Sequence, residues 1–319
     1  MNKVFVALHT YNGSASIENA IECVLNQSFP NFVLYIIDNA SNDGITAELI
    51  EKYRRLDDRI VVRTNEKNMG VYHTFFKEFK QFVLMNPEDN WWFCDLCDDD
   101  VYYPTFLEDT LRFALANDLK LAVCQSDYFD VQKQQLVNNT RLQQDLFIGE
   151  AEFEQQFSFY FKYLRTLWGK LYHFSVFDSV KRDSFTGKIS FGWDTAYVLN
   201  FTAEIDRFGV LAKSLHKYNI RQGSASFRYD PVRIQSDETF VSEMERFLLR
   251  KCGRISAENK EFISTTYRKC IESTVRVVKN SKLDESEQQR CFEEIWARER
   301  TKQLFSGDYL KYTGWMGSV

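Results

Sequence analysis

Short, continuously apolar runs alternate with helix-patterned segments through the first hundred residues, and that rhythm restricts the possible folds more than any other feature. Val4 to Leu8 is apolar throughout and breaks at the turn "HTYNG". Ser14 or Ser16 suits the cap of a helix that puts Ile17, Ala20, Ile21, Val24 and Leu25 on one face. A second apolar run, Phe32 to Ile37, ends at Asp38 in the polar loop "DNASNDG". A helix over Thr46 to Tyr53, a strand at Ile60 to Val62, a turn at "NEKNMG" and a helix from about Val71 to Met85 precede the apolar "WWFC". Strands that are apolar on both sides and separated by helices belong to a parallel sheet covered on both faces. Ligands of such sheets bind beyond the carboxyl ends of the strands. Thr10 and Tyr11, Asp38, and the triplet Asp98-Asp99-Asp100 all fall there.

The pattern changes after residue 104. Thr105 to Asn117 reads as a helix and "LAVC" as a strand, followed by an irregular, aromatic stretch over 130–190. From Asp237 onward the chain reads as helical, with Phe240, Val241, Met244, Phe247 and Leu248 in one stripe. The 28 Phe and 16 Tyr against only 13 Gly and 4 Pro favour deep cores over long linkers. A net charge of −5 gives no general attraction for nucleic acid. Seven Cys form no even disulfide framework, no signal sequence is recognisable, and no apolar run approaches the roughly 20 residues of a membrane span. The expectation is a cytoplasmic protein, with the inner face of the cytoplasmic membrane left open.

Three adjacent carboxylates at the end of a buried strand raise one another's pKa unless a cation joins them. A hard divalent ion, Mg²⁺ or Mn²⁺, removes that penalty and holds phosphates in turn. A solvated acidic turn is the plainer reading. Cys94 and Cys97 have C-x-x-C spacing, but without a second pair or a His pair they read as packing and not as a zinc or redox site.

The stretch "VFVALHTYNGSASIENAIECVLNQSFPNFVLYIIDNASNDG", the later "NEKNMG" and "CDDDVYYPTFLEDTL" occur in the order found in glycosyltransferase family 2, which the chain resembles over about residues 3–115 and more loosely over 165–226. The resemblance implies a GT-A nucleotide-diphospho-sugar transferase fold, a mostly parallel α/β sheet flanked by helices, over 1–235. Its donor half would run to about 118 and its acceptor half over 119–235, with a helical C-terminal extension at 236–319. It implies that Asp38 takes the base of the donor, uracil in many members, with Thr10, Tyr11 and Asn39 lining the same pocket. Asp99 falls at the metal-ligating position of the D-x-D motif, with Asp98 and Asp100 beside it on metal or ribose. Three departures stand out: His9 where members often carry Pro, Cys97 where the first Asp of the acidic motif often lies, and Phe75-Phe76 where polar contacts are usual.

Inverting transfer needs a carboxylate that takes the acceptor's proton and a cation that steadies the departing diphosphate. Asp194, in "KISFGWDTAYVL", is the expected base; an N-cap role for the following helix fits the sequence equally. "LHKYNIRQGSASF" resembles the family's late segment that closes over the diphosphate, which implies that Arg221, or else His216, reaches phosphate or metal. Trp168 and Lys170 in "RTLWGKLYH", together with Trp193, are expected beside the acceptor or the diphosphate, although a core Trp with a snorkelling Lys also fits. The leading expectation is a metal-dependent inverting glycosyltransferase that carries a sugar from a nucleotide diphosphate, UDP foremost, to a saccharide or lipid-linked saccharide of a bacterial surface polysaccharide or lipopolysaccharide. The alternatives are a nucleotidyltransferase or hydrolase using the triplet, and a non-catalytic nucleotide-sugar-binding protein. A Rossmann dehydrogenase is disfavoured, since no G-x-G-x-x-G follows the first strand. Homodimerisation or membrane contact through the tail stays open.

Overall fold

The computed structural model describes residues 1–71, 74, 90–137, 141–177, 192–221 and 233–305. The chain divides into two compact units, one of Met1–Thr186 with Tyr197–Arg221, the other of Gly187–Ala196 with Gln222–Val319.

A single mixed sheet organises the first unit. Its strands are β1 (Lys3–Thr10), β2 (Phe32–Asp38), β3 (Ile60–Thr64), β4 (Trp91–Cys97), β5 (Val101–Tyr102), β6 (Leu121–Asp130), β7 (Gln135–Val137), β8 (Leu146–Gly149), β9 (Lys170–His173) and β10 (Arg207–Ile220). They lie in the order β3-β2-β1-β4-β9-β6-β10-β5, with β7 on β6 and β8 on β10. The apolar runs of the N-terminal half pair in parallel, β1 between β2 and β4 and β3 outside β2, as continuous burial on both faces requires. β6 and β10 are also parallel, but β9 enters between β4 and β6 antiparallel to both.

Helices α1 (Ile17–Leu25), α2 (Thr46–Arg54) and α3 (Phe106–Ala116) follow their strands and cover one face. Val4, Val6 and Leu8 of β1 meet Ile21, Ile50 and Leu107 from these helices in one buried cluster. Ser16 takes the N-cap position of α1, but its hydroxyl donates to the Gly13 carbonyl at 3.5 Å and caps no helix N–H. The stretch expected to be irregular contains the short helices α4 (Glu150–Gln155) and α5 (Phe157–Tyr160) as well as three strands.

The opposite face carries aromatic rings from three strands, Phe5 of β1 stacking on Tyr35 of β2 at 5.2 Å and on Phe93 of β4 at 6.1 Å. Phe93 lies edge-on to Phe177 at 5.5 Å, and Phe177 to Phe201 of α6 (Trp193–Ala203) at 4.9 Å. Of the helix expected over Val71 to Met85, only Val71 and Thr74 are described; Phe75 and Phe76 lie outside the described residues.

The second unit holds α7 (Arg233–Cys252), α8 (Ala257–Lys279), α9 (Glu285–Ala297) and α10 (Glu299–Leu304). The stripe Phe240, Val241, Met244, Phe247 and Leu248 is buried, as its spacing requires. The Asn259 N–H donates to Ser256 Oγ at the start of α8, and Asp284 with Glu287 forms a reciprocal capping box at α9. No described helix is long and apolar enough to cross a membrane.

Candidate active site

β1, β2 and β4 run parallel and in register, with Thr10 opposite Asp38 and His9 opposite Cys97, so their carboxyl ends present Thr10, Asp38 and the triplet at one edge. The chain turns immediately after β4, where the Asp100 N–H donates to the Cys97 carbonyl at 3.1 Å. That turn fans the three carboxylates toward different neighbours.

Each carboxylate has its own partner, a cationic one only for Asp99. Asp98 accepts a hydrogen bond from the Thr10 hydroxyl at the end of β1. Asp99 faces Arg221, whose Nη2 and Nε lie 2.7 and 3.1 Å from Asp99 Oδ2. Asp100 accepts from the Asn219 backbone N–H at 2.8 Å and stands 3.6 Å from His216 Nε2. The Asn219 side-chain amide donates to the Asp99 carbonyl at 2.6 Å. One strand end, β10 with Arg221 beyond it, therefore serves two of the three acidic residues. Asn219 and Arg221 share a side of the strand because side chains alternate with a period of two.

Burial sets the protonation behaviour. It pushes Asp98 up to about 6, against the lowering effect of the Thr10 hydrogen bond. Burial likewise raises Asp100, opposed by His216. For Arg221, burial would lower the pKa, but the hydrogen bonds and charge of Asp99 prevail and raise it. Burial, with Asp100 and Asp99 adding like charge, holds the Cys97 thiol well above its ordinary range.

Gly13 lies close beneath this arrangement. A Cβ at that position would collide with both Thr10 Oγ1 and Asp98 Oδ2, so the backbone approach there requires glycine.

Asp38 is buried, and its Oδ1 accepts from the Ser41 N–H at 2.9 Å. Asn39 serves as a hub: its Oδ1 accepts from Asn65 Nδ2 and the Met69 N–H, and its Nδ2 donates to Asn68 Oδ1. It therefore holds the loop after β3 against the end of β2. Tyr11 projects outward, 43% exposed.

The donor atoms of Cys97, Asp99 and Asp100 all lie within 4.8 Å of one another. Asp100 Oδ2 is buried without a hydrogen bond. The two carboxylates fit a hard divalent ion, while Cys97 adds a soft sulfur where oxygen is usual. Asp98 and His216 lie outside this group. His216 is fully buried, with Nδ1 2.9 Å from Ser126 Oγ and Nε2 toward Asp100, so it backs the triplet from inside the sheet.

The remaining candidates separate. Lys170 is buried and donates to the Thr166 carbonyl, Thr166 Oγ1 and the Trp168 carbonyl within its own turn. That turn carries Trp168, whose ring stacks on Tyr218 at 5.9 Å with the planes 8° apart. Trp193 is buried as the first residue of α6, and Asp194 follows inside the first helical turn, two places past the cap position held by Gly192. Gly192, left-handed at φ 73°, approaches the Phe240 ring so closely that a Cβ would meet it at 2.6 Å. The segment after Arg221, including "QGSASF", lies outside the described residues.

Asn219, Ser126 and Gly13 were not singled out in the sequence. The polar "NIR" ending a long strand is the signal for Asn219; nothing local marks Ser126.

The fold is that of GT-A nucleotide-sugar transferases. The model for the family described as "Glycosyl transferase family 2" matches residues 5–186, and the chain belongs to that family. It is 37% identical over 67 residues to the putative teichuronic acid biosynthesis glycosyltransferase TuaG of Bacillus subtilis (strain 168), a match covering 21% of this chain and 26% of that protein. To the O-antigen biosynthesis glycosyltransferase WbnJ of Escherichia coli it is 28% identical over 122 residues, 38% of this chain and 44% of that one. The chain thus aligns with less than half the length of either. Among solved structures, S. aureus TarS 1–349 in complex with UDP-GlcNAc superposes with a TM-score of 0.65 at 16% identity, covering 98% of this chain and 92% of that one. The mannosyltransferase PcManGT from Pyrobaculum calidifontis, in complex with GDP-Man and Mn²⁺, gives 0.53 at 10% identity, over 95% and 83%. Both structures establish the same fold.

Proposed function

We propose that the protein is a divalent-metal-dependent inverting glycosyltransferase that moves a sugar from a nucleotide diphosphate to a saccharide acceptor in bacterial surface-glycan synthesis, working in the cytoplasm. The observation that carries the proposal is the convergence of Thr10, Asp38 and the triplet at one sheet edge, in a chain of family 2. The names of TuaG and WbnJ support the surface-glycan context, and the nucleotide sugars bound to TarS and PcManGT support the donor class.

On this reading Asp38 accepts from the base, with Tyr11 and Thr10 along the nucleotide. Asp99 and Asp100, with Cys97 at their side, hold Mn²⁺ or Mg²⁺. The ion supplies charge neutralisation for the departing diphosphate. Arg221 adds a cation to the same phosphates. Trp168, stacked on Tyr218, offers a ring face to a pyranose of the acceptor. Asp194 takes the acceptor's proton. The tail unit, residues 236–319, serves as a helical extension of the catalytic part. A bacterial nucleotidyltransferase would not need Trp168 or Asp194.

The experiment is a thermal-shift screen of UDP, GDP and their common sugar derivatives, each with and without Mn²⁺. At least one nucleotide should raise the melting temperature, and more so with Mn²⁺. If none stabilises the protein under either condition, the proposal fails.

A further inference from the structure

The contact between Asp99 and Arg221 has features that suit exchange better than permanence. Both Arg221 Nη2 and Nε point at one oxygen, Asp99 Oδ2, at 2.7 and 3.1 Å. The pair therefore lacks the two-oxygen fork of the strongest guanidinium–carboxylate contacts. It also stands at a solvated edge, Arg221 35% and Asp99 22% exposed, where an ion pair contributes little.

Asp99 belongs at the same time to the group of donor atoms with Cys97 and Asp100. A divalent cation and a guanidinium on one carboxylate oxygen repel each other at these distances. Two residues earlier, Asn219 holds the triplet by two hydrogen bonds, from its backbone N–H to Asp100 Oδ1 and from its side chain to the Asp99 carbonyl. Release of Arg221 would leave that anchorage in place, so the change is confined to one side chain.

We infer that Arg221 is the internal counter-ion of the metal position: it neutralises Asp99 in the donor-free protein, yields that oxygen to the arriving cation, and is thereby freed for the diphosphate of the donor. The inference rests on the triplet being the metal site. It makes Arg221 a positioning residue that couples two ligands. Metal alone must displace Arg221 without giving it a new partner, whereas metal with nucleotide diphosphate supplies one. The two ligands then strengthen each other's binding by the same factor.

The test is an electron paramagnetic resonance titration of free Mn²⁺ with the full chain, in the absence and presence of UDP or GDP, for the native protein, Arg221→Gln and Arg221→Lys. Arg221→Gln should bind Mn²⁺ alone about three- to tenfold more tightly, since it loses both the competing contact and a like charge. The same variant should bind nucleotide diphosphate more weakly at saturating Mn²⁺, so that the mutual enhancement falls toward one. Arg221→Lys keeps the charge, and its Mn²⁺ affinity should lie between the other two; it carries the test if Arg221→Gln does not fold. Higher salt should narrow the gap between native and variant. Unchanged or weaker Mn²⁺ binding by folded variants overturns the inference and leaves the metal site standing. Failure of the native protein to bind Mn²⁺, with or without nucleotide, overturns the metal site itself.

Discussion

His216 Nε2 lies 3.6 Å from Asp100 Oδ2, and neither side chain is exposed to solvent. The imidazole is fixed from its other nitrogen by Ser126 Oγ at 2.9 Å. The separation from Asp100 exceeds hydrogen-bond length, so the contact orients and polarises more than it binds. His216→Gln should therefore lower stability by about 1–3 kcal/mol, the range for disturbing a buried polar partner. Mn²⁺ binding should survive, weakened. Chemical denaturation and a Mn²⁺ titration on the same preparation check both points. Complete loss of Mn²⁺ binding in a folded variant would instead make His216 a direct ligand.

Gly13 is a site where a single methyl should reach the Thr10–Asp98 contact, part of the proposed donor pocket. Its Cβ would enter the space of Thr10 Oγ1 and Asp98 Oδ2, and the hydroxyl–carboxylate contact between them would have to open. Asp98 would then lose the hydrogen bond that holds its pKa down against burial. Gly13→Ala should weaken nucleotide binding at least tenfold, which is a loss of about 1.4 kcal/mol. The core cluster under β1 stays intact, so Tm should fall by only a few degrees. Calorimetric titration with the nucleotide found in the thermal-shift screen measures the first; equal affinity for native and variant would show that the Thr10–Asp98 contact is not part of the pocket.

What could be read from the sequence follows from how local each signal is. Val4 to Leu8 and Phe32 to Ile37 announce themselves as strands buried on both faces because every residue is apolar, and β1 and β2 lie there. The triplet is legible for the opposite reason, charge ending an apolar run. β9 is not: its four residues, "KLYH", sit in an aromatic stretch, and its antiparallel place between β4 and β6 depends on partners far along the chain. Which side chain neutralises which carboxylate is a question of register between β10 and β5, and no local pattern carries it. Lys170 shows the limit most plainly, since the sequence fits a reaching and a snorkelling lysine equally, and its bonds to Thr166 and the Trp168 carbonyl depend on how the turn folds.

His9 on β1 and Asp95 on β4 form a second buried pair, Nδ1 to Oδ1 3.4 Å. Burial lowers His9 to about 4 although Asp98 and Asp99 pull it upward. Burial raises Asp95 well above the carboxylate range, with Asp100 adding to the effect. His9 is thus neutral in the folded protein near pH 7, and the Asp95 carboxyl is held toward its protonated form by burial. Their contributions to pH-dependent stability oppose each other. The folded pKa of His9 lies below its unfolded value of 6.5, so acidification from 6.5 to 4 protonates the unfolded chain first and destabilises the fold. The folded pKa of Asp95 lies above its unfolded value of 3.8, so raising the pH above 3.8 ionises the unfolded chain first and also destabilises the fold. Relative to the native protein, Asp95→Asn should lose stability as pH falls from 7 to 5, because the Asp95 gain that offsets the His9 loss is gone. His9→Gln should show the reverse, gaining relative stability as pH falls from 7 to 5. Urea denaturation at pH 7, 6 and 5 compares the three; parallel profiles would mean that the pair does not titrate in this way.

Asp194 separates an enzyme from a binding protein. It occupies the first turn of α6, where a carboxylate favours the positive end of the helix dipole by about 0.3–1 kcal/mol. Asp194→Asn removes that small stabilisation and keeps the side-chain shape, so folding and nucleotide affinity should change little. If Asp194 takes the acceptor's proton, turnover should fall by about 10²- to 10⁴-fold, the usual worth of a general base. The measurement is release of nucleoside diphosphate from the donor that most stabilises the protein, with calorimetric binding of the same donor in parallel. Loss of turnover with retained binding assigns the proton transfer to Asp194. Turnover within a fewfold of native moves the base elsewhere, and loss of binding as well would place Asp194 in the donor pocket.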